Sequence, residues 1–435
     1  MLIRALGWIT TIIYLIIIPL LFFFGSLDAL SLYFALVILV VALAAALYSN
    51  EYIAADFESG LISKPKALAY YLLFNLFIVS MLVVVVVDNL GVMWAAIEMT
   101  TLISAFLVGF YNNKGAVEAA WKYIIICSAG IILALIGTIL FSYALLGTAQ
   151  VDANLIKVAF IFILVGYGTK AGLAPMHTWL PDAHSQAVSP ASALLSGVLL
   201  KTSIYAIIRY SILVNSFLGP DFTGRLLMLF GLFSLAVAAG FILVQKDIKR
   251  LLAYSSIEHI GIIALGLGLG TPLSIYGALF HVFNHAAAKS LLFFGAGNIV
   301  KKYHTHDFAK IKGVLRTLPF TGTMILVGIL ALVGLPPFSI FFSEMIILLA
   351  AVLKGSYVVA SLYLFFIVLI FAGIIYHFSQ ILFGPKPDNL IVTKEPASSK
   401  LAFLFLLGFI CLLGVAMPGP FNRLLLSAVS LIRGM

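Results

Sequence analysis

Apolar residues run along this chain in blocks of about 20, separated by short polar connections. A helix needs a block of that length to cross a bilayer with its backbone hydrogen bonds satisfied internally. Runs such as Val83 to Val87 and Ile12 to Ile18 are continuous, whereas a membrane β-barrel alternates apolar and polar residues. The pattern predicts about 13 spans, at residues 5–24, 28–48, 67–87, 89–110, 118–146, 155–180, 189–212, 225–244, 251–269, 272–299, 317–351, 357–383 and 400–417. The expected fold is all-α, a polytopic transmembrane helical bundle. The first block is longer than a signal-peptide core and lacks a small-x-small cleavage motif, so it is expected to be a retained helix.

Two blocks are interrupted. The sixth contains Gly166, Gly168, Gly172 and Pro175, and the eleventh contains Gly334, Pro336 and Pro337. Such breaks survive at membrane depth only where protein or a wet cavity re-satisfies the freed backbone groups. They lie five spans apart, so two five-helix units would each carry a break in the fourth helix. An odd number of helices per unit makes the units inverted, and paired broken helices point to a transport site. The expected organisation is N-terminal helices in 1–66, a first repeat in 67–212, a second in 225–383, and a C-terminal helix and tail in 384–435.

Composition narrows the class. Of 435 residues, 63% are hydrophobic and 9% are charged, against about a quarter charged in soluble domains. A soluble enzyme, a disordered chain, a secreted disulfide scaffold and a nucleic-acid-binding domain are excluded. The net charge of +9 belongs to loops. Lys64, Lys66, Lys114, Lys246, Lys249, Arg250, Lys301, Lys302, Lys310, Lys312, Arg316, Lys386, Lys394 and Lys400 follow even-numbered spans. The positive-inside rule then predicts a cytoplasmic N-terminus and an outside C-terminus. Cys127 and Cys411 fall in different spans with no CxxC, which argues against a structural zinc site or an iron–sulfur cluster held by this chain. No loop is long enough for a redox or nucleotide domain.

Ionisable side chains inside the blocks need a reason, because each costs about 2.5–3.5 kcal/mol at the bilayer centre. Glu98, Lys170, Lys201, His281, His285, Lys289, Glu344 and His377 are the candidate proton-path residues, with Lys122, His177, Asp182, His184 and Glu258 in support. His281, His285 and Lys289 share about 80° of one helix face. By repeat position, Glu98 matches Glu258, Lys122 matches the His281 stripe, Lys170 matches Glu344, and Lys201 matches His377. A Glu98–Lys170 pair is expected to hold and release a proton, and histidines can pass one in either direction.

Other roles stay open. Glu98 and Lys170 can be a static tie, Lys201 and Lys289 can snorkel, and His377 can be a packing residue. Lys122 and Glu258 can be ties near the cytoplasmic side. His281 and His285 can be satisfied packing residues; they also have a spacing that suits metal or haem ligation, but Asn284 stands where a zincin has its glutamate. No metal or cofactor is expected on this chain. His304 and His306 belong to a basic loop, and Gly266, Gly268 and Gly270 do not make a dinucleotide fingerprint.

Several ordered segments are similar to a known family. They are Lys170-Ala171-Gly172-Leu173-Ala174-Pro175-Met176-His177-Thr178-Trp179-Leu180-Pro181-Asp182-Ala183-His184, then Ser189 to Tyr205, Asp247 to Ser256, His281 to Phe293, and Gly334 to Phe338. Together they resemble the antiporter-like proton-translocating membrane subunits of complex I, membrane-bound nickel–iron hydrogenases, formate hydrogenlyase and Mrp antiporters. Leu90 to Thr101, followed by Ala120 to Tyr123, looks most like the hydrogenase-4/formate hydrogenlyase type. The resemblance implies a glutamate–lysine pair at Glu98 and Lys170, a connecting Lys201, a central axis at His281, His285 and Lys289, and an acidic exit at Glu344. It also implies neighbouring antiporter-like and quinone- or hydrogenase-module anchor subunits. Peripheral redox subunits would carry iron–sulfur clusters and a nickel–iron centre. The implied location is a prokaryotic cytoplasmic membrane, with no nucleic-acid partner. Family members commonly have one more N-terminal helix, and the chain is expected to stop soon after its last span.

Three functions follow. The preferred one is a proton-translocating, itself non-catalytic subunit of an oxidoreductase complex. The alternatives are a subunit of an Mrp-type Na⁺/H⁺ antiporter and a scaffold that no longer transports.

Overall fold

The structure is a computed structural model and describes residues 2–21, 27–146, 152–387, 390–392 and 395–434. The end of the first predicted span (22–24) and Lys394 lie outside these residues. The described residues form helices and no strand; two loops touch through one isolated bridge between Asp247 and Asp307.

The first five helices are α1 (Leu2–Leu21), α2 (Ala29–Glu58), α3 (Lys64–Val86), α4 (Leu90–Val108) and α5 (Lys114–Leu146). The sixth span is split into α6 (Ala153–Ala171) and α7 (Trp179–Gln186). The seventh is α8 (Ser189–Leu194), a π-helical turn at Leu195–Leu199, and α9 (Leu200–Leu218). Then come α10 (Pro220–Leu243), α11 (Ile248–Leu269), α12 (Pro272–Tyr303) and the short α13 (Val314–Thr317). The eleventh span is split into α14 (Pro319–Leu332) and α15 (Ser339–Leu353). The chain continues through α16 (Tyr357–Leu382), α17 (Ala397–Val415) and α18 (Gly419–Arg433). Among the described residues, eleven helices are long and apolar enough to cross a membrane. The two other predicted spans are α12, whose polar stripe lowers its hydropathy, and the broken pair α14 and α15.

Local chemistry sets the ends. Asp28, Asn89, Asp152 and Asp247 cap α2, α4, α6 and α11 by accepting backbone N–H bonds. Thr271 and Ser274 make a reciprocal capping box on α12. Proline opens α10, α12 and α14, where a missing N–H costs nothing. Gly172 ends α6 at φ 82°, and Gly334 follows α14 at φ 69°. That left-handed backbone suits glycine, so both breaks fall where the sequence places them.

Helices α2, α8–α9, α11 and α12 form the interior, and the others wrap them with apolar faces turned outward. Small residues let neighbours touch. A Cβ on Gly231 would come 2.8 Å from the Gly261 carbonyl, and one on Gly268 would come 2.7 Å from the Gly224 carbonyl. This packs α10 on α11 and gives Gly268 a packing role, while Gly266 packs against Ala278 of α12.

Two expectations are corrected. The segment after the last predicted span is a helix rather than a bare tail: α18 packs on α2, α9 and α12. Its buried residues are Leu425, Ala428 and Val429, and its polar face keeps it below the hydropathy of a span. Lys249 and Lys301 are not loop cations. Lys249 lies in α11, buried, with Nζ donating to the Ala187 carbonyl at 2.9 Å. Lys301 lies in α12, 2.7 Å from Asp56.

Candidate functional site

Lys170 occupies the last turn of α6, against the break. A helix C-terminus favours a cation there. Its ammonium is fully buried and donates to Thr101 Oγ1 at 2.8 Å and Tyr123 OH at 2.6 Å. Tyr123 in turn contacts Ser104 Oγ at 2.7 Å. The expected direct pair with Glu98 is not formed. Glu98 Oε1 accepts from Ser128 Oγ at 2.6 Å, and Oε2 is buried with no partner. Glu98 sits one helical turn from Thr101, so α4 meets the lysine with a hydroxyl and keeps its carboxylate to the side.

Lys201 is 1% exposed, and its Nζ donates to the Ser196 carbonyl. That carbonyl lies in the π-helical turn, where the i→i+4 ladder is interrupted. Ser196 Oγ meets Ser256 Oγ of α11 at 2.7 Å. Ser256 Oγ donates to the Leu252 carbonyl at 3.0 Å, and Lys289 Nζ donates to the same carbonyl at 2.9 Å. Lys201 and Lys289 are thus joined through Ser196, Ser256 and one shared carbonyl. Both tips end on buried carbonyls, so neither lysine snorkels.

The second broken helix meets a histidine group. His281 Nε2 lies 2.9 Å from His259 Nδ1, and His281 Nδ1 lies 2.9 Å from Ser343 Oγ of α15. The His259 ring stands between those of His281 and His285, at centroid distances of 5.0 and 4.5 Å. Both nitrogens of His285 are buried without a partner. Glu258 accepts from Ser255 at 3.1 Å, and its Oε2 lies 4.0 Å from His259 Nε2. The Glu344 carboxylate lies beside Gly334 at the break and lines a cavity of 210 Å³ between α15 and α16.

Other candidates fall elsewhere. Lys122 is half-exposed and pairs with Glu118 at 2.7 Å and Asp182 at 3.2 Å, and Asp182 also binds Arg250. Lys122, Asp182 and Arg250 make a surface tie between α5, α7 and α11. His177 packs near the rings of Phe241 and Tyr254. His184 is buried, stacked on Phe293 at 4.9 Å, with both nitrogens unpartnered. His377 donates to the Ile242 carbonyl at 3.1 Å and stacks on Phe308, apart from the other histidines. Among the described residues no hydrogen bond joins Lys170 to Lys201, or Lys289 to Glu258.

His259 is the central residue that sequence reasoning left unassigned. It adjoins Glu258 in the sequence, but its place depends on which face α11 turns to α12. The hydroxyls of Thr101, Tyr123, Ser128, Ser256 and Ser343 were also missed, because such side chains are common and cheap in apolar spans.

The model for "NADH:quinone oxidoreductase/Mrp antiporter, TM" matches residues 87–371. Hydrogenase-4 component F homolog of Methylacidiphilum infernorum is 37% identical, over 84% of this chain and 80% of that protein. Hydrogenase-4 component B of Escherichia coli is 35% identical over 73% of this chain, and the match spans about half of that longer relative (49%). A chain of the membrane-bound sulfane sulfur reductase, an archaeal respiratory membrane complex, superposes with a TM-score of 0.84 at 25% identity. That superposition covers 99% of this chain and 91% of the other.

Proposed function

The chain belongs to the NADH:quinone oxidoreductase/Mrp antiporter transmembrane family, and from that premise we propose that it translocates protons as the antiporter-like subunit of a hydrogenase-type redox complex. One observation carries this proposal. Buried polar groups converge in the interior: Lys201 and Lys289 meet the Ser196–Ser256 hydroxyl pair through the Ser196 and Leu252 carbonyls, and His259, His281 and Ser343 form a second cluster near Glu258 and Glu344. Costly groups that converge inside a lipid-facing bundle mark an ion path.

Lys170 serves the first half-channel and exchanges its proton through the hydroxyls of Tyr123 and Thr101 with the region of Glu98. Lys201 and Lys289 join the halves. The histidine group and Glu344 deliver the proton to the cavity beside α15. His177 and His184 border the first half-channel, while Lys122 and Asp182 hold it together at the surface.

The halves are the inverted repeats 67–212 and 225–383. Matching packing supports this division: α3 with α9 and α10 with α16, α4 with α5 and α11 with α12, α5 with α7 and α12 with α15. The N-terminus faces the cytoplasm of a prokaryotic cell and α17 ends outside, in keeping with the even-loop cations. Redox chemistry belongs to partner subunits that carry iron–sulfur clusters and a nickel–iron centre.

Mild purification of the native assembly, with metal analysis and subunit identification, tests this. Iron–sulfur and nickel-containing subunits are expected to copurify. An assembly made only of small membrane subunits, with Na⁺-dependent proton exchange, would overturn it in favour of an Mrp-type antiporter.

A further inference from the structure

We propose that His259, His281 and Glu344 form a binding site for a divalent transition-metal ion of zinc type, and that the ion plugs the polar line when it is bound. One ligand atom from each residue lies within 4.8 Å of the others. Tetrahedral zinc with bonds of about 2.0–2.1 Å holds its ligands roughly 3.3 Å apart. The two facing imidazole nitrogens are already at 2.9 Å. Closing the site therefore asks only for small movements, chiefly of the Glu344 side chain.

The surroundings fit as well. A ligating histidine turns its other N–H to a carboxylate, carbonyl or hydroxyl, which fixes its tautomer. His281 presents Nδ1 to Ser343 Oγ at 2.9 Å, which leaves Nε2 for an ion. His259 Nδ1 faces His281, and the nearest carboxylate to its Nε2 is Glu258 Oε2 at 4.0 Å, one small side-chain shift from a hydrogen bond. His259 Nε2 is buried without a hydrogen bond, and Glu344 lines the adjoining cavity. One buried nitrogen of the group is thus unsatisfied as it stands. Two imidazoles and one carboxylate leave a fourth coordination position for a water molecule, and Glu344 also lines the 210 Å³ cavity. The site differs from the His281/His285 pair that spacing alone suggests, because His285 faces the far side of the His259 ring.

The site stands on geometry alone, whereas its blocking effect rests on the function proposed above. A bound ion occupies the nitrogen lone pairs that a travelling proton would use, so translocation stops until the ion leaves. The test uses the whole complex, stripped with a chelator and dialysed against Zn²⁺. Zinc K-edge absorption is expected to report two imidazoles and oxygen ligands at about 2.0 Å. His281→Gln and Glu344→Gln should lose that ion. Ser343→Ala, which keeps all three ligands, should weaken binding by about 10–100-fold, and His377→Ala should not change it. Absence of a histidine-ligated ion in the wild-type complex, or its persistence in His281→Gln, would overturn the site. Proton translocation measured alongside should fall with Zn²⁺ and return with chelator. A filled site with undiminished translocation would keep the site and overturn His281 as a proton carrier.

Discussion

The ammonium of Lys170 lies 2.6 Å from the phenol oxygen of Tyr123. This contact, made by α6 at its break with α5, gives a buried lysine a hydroxyl through which a proton can be handed on. Removing only that oxygen leaves the ring that packs on Trp179 at 4.7 Å. Tyr123→Phe should therefore assemble normally. A hydrogen bond to a charged group is worth about 1.5–3 kcal/mol, so proton translocation is expected to slow by roughly tenfold or more. Initial rates of proton uptake in inverted membrane vesicles check this, and an unchanged rate would remove Tyr123 from the path.

Gly334 holds the second break open. A Cβ there would stand 2.2 Å from Glu344 Oε2, on a backbone at φ 69°. The left-handed conformation alone costs an L-residue about 1–2 kcal/mol, and the carboxylate must also move. Gly334→Ala should lower both thermal stability and translocation. Gly240→Ala is the matched control, because nothing lies within 4 Å of its Cβ position. The pair is read by melting of the detergent-solubilised complex and by vesicle transport.

At the opposite end of the interior from the basic loops, Asp28 caps α2 and binds Arg209 of α9. Partial burial works against its charge, but the Ser31 N–H and Arg209 outweigh that and hold the carboxyl below its usual range. Its stabilising effect is complete above the range where an unfolded-chain aspartate titrates, about 3.9. It is lost as pH falls through the lower folded value. Asp28→Ala should cost about 1 kcal/mol for the cap alone. Asp28→Asn can still cap, and should flatten the acid end of the melting-temperature profile. An Asn variant that matches the wild type across that end would contradict the ion pair's role.

The sequence carries these features unequally. Spans and breaks were legible because each depends on a local pattern: a 20-residue apolar block, or glycine and proline within one. Glu344, Lys201 and Lys289 stood out because a charge in such a block is costly. What needed the structure was which faces meet. Glu98 and Lys170 are on the predicted helices, yet Thr101 makes the contact. Lys122 looked intramembrane by position but is half-exposed among Glu118 and Asp182. His259 needed the rotation of α11 against α12. The helix α18 was missed because an amphipathic segment with Arg423 and Arg433 gives no apolar block.

The most direct measurement is the number of protons translocated per redox turnover by the whole complex in sealed vesicles, wild type against Lys170→Ala. Assembly and partner-subunit content are checked on the same preparation. The proposed first half-channel loses its buried amine, so the variant is expected to assemble and to translocate few or no protons through this subunit. Full proton yield from an assembled Lys170→Ala complex would contradict the account.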